Sequence, residues 1–218
     1  MPGGRDGAAK STDEVDVAGR VAQQTLAARE AVYASEVRRL LDAALEVMRR
    51  CGTTSRPRVA DIVAAAGLSN DAFYRHFPSK DALVAALVDD GALRLQSYLD
   101  HQMAKEVTPE AKVRCWVEGV LSQAEGEVAA TTLAVLWNGD SVTQDRTAVR
   151  NAASIAPGML LREPFASLGS ARPELDATLV THAVFGCLSD HLWQGTHADQ
   201  DEVDHVVDFC LAAVSRAR

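Results

Sequence analysis

The sequence predicts an all-α protein, and three observations carry that prediction. Apolar residues recur at helical spacing through most of the 218 residues. Residues that start and stop helices punctuate these stretches. No convincing run of alternating strand residues and no repeat of fixed period interrupts the pattern. Hydrophobic residues make up 47% and charged residues 24% of the chain, which excludes a wholly disordered polypeptide. No stretch approaches the roughly 18 apolar residues of a transmembrane helix. The polar opening residues lack the apolar core of a secretory signal, so a cytoplasmic protein without membrane contact is expected. The four cysteines (Cys51, Cys115, Cys187 and Cys210) are widely spaced without a C-x-x-C pair. Reduced thiols are therefore expected, not a disulfide scaffold or a zinc finger.

Residues 1–34 read as an N-terminal extension, partly disordered or helical. The first ten are Gly-rich and polar, and the rest carry few large apolar side chains. From residue 37 the period sharpens: Val37, Leu40, Leu41, Ala44, Leu45 and Met48 form one stripe. Arg49 and Arg50 suit a C-terminal turn, and Gly52 suits a stop. Pro57 precedes a short helix carrying Val59, Ile62, Val63 and Ala66. Gly67 suits a tight turn with positive φ, and Ser69 reads as the N-cap of a further short helix. Pro78 ends that helix, and Ser79 caps the next, which carries Leu83, Leu87, Leu95 and Leu99. Helices are then expected over about 109–126, 127–137, 173–194 and 199–216. Residues 143–168 are broken by Pro157, Gly158 and Pro164.

Charge is unevenly spread. Residues 35–80 hold eight Arg/Lys against five Asp/Glu, net +3. Residues 81–218 hold ten against twenty, net −10. A small basic module ahead of a large acidic one suits a DNA-facing part joined to a part kept off DNA. Residues 59–77 fit a helix-turn-helix. Ile62, Val63 and Ala66 would pack on Leu68 and Phe73, and the exposed face of the second helix would enter a major groove about 12 Å wide.

The stretch I-V-A-A-A-G-L-S-N-D-A-F-Y-R-H-F-P-S-K-D-A-L (62–83) resembles the DNA-binding signature of TetR-family transcriptional regulators. Ile62, Ala66, Gly67, Ser69, Phe73, Tyr74, His76, Phe77, Ser79, Lys80, Asp81 and Leu83 fall in register with the family pattern. The detailed match covers roughly residues 35–85. Arg58 stands where the family often has Thr or Ser, Asp71 where Gly, Ala or Pro is common, and Ala72 where Thr or Ser is frequent. The operator therefore cannot be borrowed from better-known members. The resemblance implies a helix-turn-helix DNA-binding domain over 35–82 and a helical ligand-binding and dimerisation domain over 83–218. It implies double-stranded DNA contact by Arg58, Ser69, Asn70, Asp71, Ala72, Tyr74, Arg75, His76 and Lys80. The last of these, with Tyr74 and His76, would hold phosphates, which position the protein without reading sequence. Arg56 is a further phosphate candidate.

In the second domain, Trp116, Trp137, Met159, Phe165, Phe185 and Trp193 are candidates to line a small-molecule cavity, against the alternative of plain core. Asn138, His182 and Ser189 are candidate polar handles. A homodimer is expected through the last two long helices, at Leu179, Gly186, Val206, Val207, Phe209, Cys210 and Ala213, because 203–214 is too apolar for one-sided burial. Arg5, Lys10 and Arg20 would suit a minor-groove arm, but balanced charge in the extension favours a packing or disordered segment. His197, Asp201 and His205 share a helical spacing, yet an acidic helix start is the better account than a metal site. No G-x-S-x-G, P-loop, H-E-x-x-H or Rossmann fingerprint is present, so neither catalytic residues nor cofactors are expected. A repressor released from a palindromic operator by a small apolar effector is expected. The alternatives are a metabolite-binding helical protein without DNA binding and an all-helical enzyme.

Overall fold

A computed structural model describes residues 17–138 and 155–215. Among the described residues there is no strand. The chain divides into two compact units, residues 1–38 and 39–218. Helix α1 (Val17–Cys51) runs through that division. Its first part, from Val17, is continuous helix with exposed Val17, Val21, Leu26, Val32 and Tyr33. Arg20 therefore lies on a helix and not on an extended arm, while Arg5 and Lys10 fall outside the described residues.

Within the second unit, the remainder of α1 buries Leu40, Leu41, Ala44, Val47 and Met48. Leu45, placed in the buried stripe by the sequence, is only half-buried, and Val47 takes its place. Helices α2 (Val59–Ala66) and α3 (Asn70–His76) bury Ile62, Val63, Ala66, Ala72 and Phe73. Helix α4 (Lys80–Met103) buries Leu83, Val84 and Leu87 in its first half, and Leu99 and Met103 in its second. Leu99 and Met103 belong to the main apolar core of the body. One helix thus serves both the small head and the larger body.

The body adds α5 (Pro109–Leu121), α6 (Gly126–Asn138), a short α7 (Arg162–Ser167), α8 (Pro173–Gln194) and α9 (Gln200–Ser215). Helix α5 stops earlier than its periodicity suggests. A single 3-10 turn (Ser122–Ala124) and the extended residue Glu125 intervene before α6. Helix α5 is central and packs against α4, α7, α8 and α9. Its Val113, Trp116, Val117 and Val120 are fully buried. Gly119 lets α4 come close, because a Cβ there would strike Leu99 Cδ2. Arg114 on α5 donates to Asp204 on α9 at 2.5 Å. That bond holds the Asp204 carboxyl below its ordinary value of 3.8. It also raises the guanidinium of Arg114.

Candidate nucleic-acid interface

The turn between α2 and α3 is built from backbone geometry first. Gly67 sits at φ +62°, a conformation that costs a residue with a Cβ about 1–2 kcal/mol. The Gly67 N–H donates to Ala64 O at 3.2 Å, and the Leu68 N–H to Val63 O at 2.9 Å, closing the end of α2. Arg39 on α1 then donates from Nε and Nη2 to Ala66 O, and from Nη2 to Gly67 O. Arg39 was missed in the sequence, because nothing in its spacing marks an exposed helical arginine as the clasp of a turn 27 residues away.

Ser69 accepts from the Ala72 N–H at 3.1 Å and starts α3. Its oxygen is thereby committed to the cap, and its hydroxyl proton remains to donate. Phe73, fully buried, meets Tyr74 edge-on at 5.2 Å and Phe77 at 5.9 Å. Tyr74 is itself 58% exposed. Asn70, Asp71, Tyr74 and Arg75 are all exposed and lie at helical spacing, one face opposite Ala72 and Phe73. Ala72 corrects an expectation: its side chain is 4% exposed and turned into the head, so it offers DNA no surface.

Arg58 supplies the backbone before α2, where its N–H donates to Asp61 Oδ2 at 2.9 Å. Its side chain stays exposed. Lys80 reaches the Pro57 carbonyl at 3.5 Å, which holds the start of α4 against the entry to α2. His76 is half-buried at the end of α3. The structure therefore presents Asn70, Asp71, Tyr74 and Arg75 on one convex face, with Arg58 exposed before α2.

The candidate cavity residues do not converge. Trp116 and Phe165 are fully buried in the core. The Trp116 indole N–H donates to Pro157 O at 2.8 Å, and its ring lies 6.3 Å from that of half-buried Phe185. Trp137 and Trp193 form a separate pair at 6.3 Å. Trp193 is 46% exposed. Met159 and His182 line a small cavity of about 240 Å³ together with Gly158, Thr178 and Thr181. Ser189 is half-buried. Asn138 is fully buried, and its Nδ2 donates to Ala134 O at 2.9 Å. Among the described residues its Oδ1 has no partner. The larger cavity, of about 480 Å³, lies elsewhere and is lined by none of these nine.

The two stripes of α9 separate except at Val206, which is half-buried against the same core. Val203, Val207, Cys210 and Val214 face the chain's own core. Val207 and Cys210 are thereby corrected as contact residues for a second subunit, since their side chains are already enclosed. Phe209 and Ala213 are exposed and Val206 is half-buried. On α8, Leu179 is 58% exposed, and nothing lies within 4 Å of a Cβ placed at half-buried Gly186. Burial pushes the Cys210 thiol up to about 12. It also raises Cys115 and Cys187. The described residues contain no group of three side chains able to hold a metal ion. No described helix is long and apolar enough to cross a membrane.

A helix-turn-helix head joined by a long helix to a helical body is the layout of a DNA-binding regulator. Residues 40–87 match the family described as bacterial regulatory proteins, tetR family. The head thus matches the model of that family, and the chain carries the fold seen in TetR-family regulators. The solved structures it resembles include a Mesorhizobium loti protein assigned to the TetR family of transcriptional regulators. That likeness has a TM-score of 0.62 at 16% identity and covers 84% of this chain and 96% of the other. RolR in complex with resorcinol is similar at a TM-score of 0.61 and 17% identity, over 86% and 96% of the two chains. FadR of Bacillus subtilis in complex with stearoyl-CoA is similar at 0.54 and 18%, over 83% and 98%. At these identities the likeness is one of fold. No curated protein matches the chain.

Proposed function

We propose that this protein is a one-component transcriptional repressor. A homodimer would hold a palindromic operator with two heads, and a small, largely apolar effector bound in the body would release it. The exposed α3 face carries this proposal: Asn70, Asp71, Tyr74 and Arg75 are presented on a helix whose start and preceding turn are fastened by Ser69 and Arg39. A rigid short helix can seat in a major groove without an ordering cost at the moment of binding. Arg58, His76 and Lys80 are proposed as phosphate contacts, as is the Ser69 hydroxyl.

One head reads only a few base pairs, so useful affinity calls for two half-sites about 34–36 Å apart. The proposed subunit contact is the exposed strip of Leu179, Gly186, Val206, Phe209 and Ala213 on α8 and α9, without Val207 and Cys210. Helix α4 has buried residues in both head and body. An effector that shifts it would change head spacing, and it can move the equilibrium only by its differential affinity for the two states. Resorcinol and stearoyl-CoA in two proteins of the same fold support an effector with apolar bulk.

The test is a mobility shift with DNA from upstream of the coding region at several salt concentrations. The expected result is a discrete complex that weakens steeply with salt, as phosphate contacts require, and a symmetric footprint. Equal affinity for every duplex, or none, would overturn the proposal.

A further inference from the structure

We infer that the cleft between the N-terminal half of α6 and the C-terminal turn of α8 binds a small amphipathic cation, its apolar body on Leu133 and Leu192 and its protonated nitrogen at the Glu125 carboxylate. This inference rests on the body being a ligand-binding domain. It adds a place and a charge to the proposed effector.

The cleft holds about 480 Å³, within the roughly 300–1,000 Å³ of ligand sites. Two left-handed glycines shape it. Gly126 at φ +56° turns the chain into α6, and Gly195 at φ +67° turns it out of α8. Both line the space, with Ala129, Ala130, Leu133 and Leu192 giving it an apolar floor. Glu125 lines the same space and is exposed. It pairs with no cation among the described residues, and no Lys or Arg contributes to the lining.

Two histidines line the wall, His191 and the exposed His197, and the ring nitrogens of His191 are already engaged. His191 Nδ1 lies 2.8 Å from Thr196 Oγ1, and Nε2 lies 3.0 Å from Glu202 Oε1. The Nε2–H donates to the carboxylate, and Nδ1 is matched to the threonine hydroxyl, which can donate or accept. Both ring nitrogens are thus occupied, and no donor of His191 is left for an anionic ligand. Glu202 behind the ring adds negative potential. The smaller cavity offers no comparable signal, because its Arg162 and Glu174 already pair with each other.

Isothermal titration of the full-length protein with three probes of one shape tests the inference: naphthylmethylamine, naphthalenemethanol and naphthoate. The amine is expected to bind about five- to tenfold more tightly than the alcohol, the range between an exposed and a desolvated charge pair. Glu125→Gln should remove that difference. Ala130→Trp should block amine and alcohol alike, with an unchanged helical circular dichroism spectrum, and Leu133→Gln serves if the tryptophan variant does not fold. Tightest binding by naphthoate, no binding by any probe, or a preference for the amine that survives Glu125→Gln would each overturn the inference. Amine binding at this cleft without loss of operator binding would support the site and separate it from the proposed release mechanism.

Discussion

The guanidinium of Arg39 fastens the carbonyl of Ala66, with Nε at 3.1 Å and Nη2 at 2.6 Å. Helix α2 ends there with carbonyls that have no partner inside the helix, and a charged fork is a strong donor for them. Arg39→Ala is expected to lower stability by about 1–2 kcal/mol, because water can partly replace the lost donor. Operator affinity should fall further than stability does. Arg39→Lys should recover only part of both, since a single ammonium cannot reproduce the planar fork. Urea unfolding and a mobility shift on the same samples check this. Unchanged operator affinity for Arg39→Ala would show that the clasp does not aim α3.

Arg75 and Lys80 should differ in kind. Arg75 lies on the exposed α3 face, so Arg75→Ala should cost roughly 1–3 kcal/mol on the preferred operator and relax the preference at one position. Lys80 is tethered toward Pro57, so Lys80→Ala should weaken binding about evenly on all sequences and reduce the salt slope by about one. Competition with scrambled duplexes, at several salt concentrations, separates the two. If both variants lose the same affinity on every sequence, Arg75 makes no base contact.

Ser69 is expected to act mainly through the helix that it starts. Its oxygen accepts from the Ala72 N–H, so Ser69→Ala should cost about 1 kcal/mol and Ser69→Asp far less, because aspartate also caps. If its hydroxyl also holds a phosphate, Ser69→Asp will keep stability and lose DNA binding. Thermal melts paired with binding assays distinguish the outcomes.

The two stripes of α9 give opposed expectations. Phe209→Glu, at a side chain 55% exposed, should yield a folded monomer that no longer shifts operator DNA. Leu179→Glu should do the same. Val207→Glu, at a side chain 2% exposed, should unfold the body, since an unpaired carboxylate cannot be buried cheaply. Light scattering with circular dichroism reads both. A wild-type mass of one subunit at micromolar concentration would sink the proposed dimer.

The Arg114–Asp204 bond ties α5 to α9 and depresses the Asp204 carboxyl. A depressed carboxyl contributes stability above its unfolded value, and that contribution is lost as pH falls through the lower folded value. Wild type should therefore exceed Asp204→Asn in stability near pH 7, with the gap closing in acid, below the ordinary carboxyl value of 3.8. Both partners are partly exposed, so the gap should also shrink in high salt. Denaturant midpoints at the two pH values measure it. A gap that persists at acid pH would assign the effect to packing.

Much of this protein was legible in the residues themselves because local chemistry decided it. Ser69 and Ser79 cap their helices, Gly67 takes a left-handed turn that only glycine adopts cheaply, and the stripe of Ile62, Val63 and Ala66 is buried as its spacing requires. The head and its exposed α3 face follow from short-range rules, with Ala72 the exception: three residues after the Ser69 cap, helix rotation turns it inward. The body was legible only as helices. Periodicity says that Trp116, Phe165, Val207 and Cys210 lie on apolar faces, but not whether a face meets the chain's own core, a cavity or a second subunit. Burial of all four in one core, the clasp of Arg39 across 27 residues, and the opening of a cleft beside Glu125 and Leu192 in place of Trp116 are relations between distant segments. They depend on how helices cross, which tertiary packing settles and no local pattern encodes.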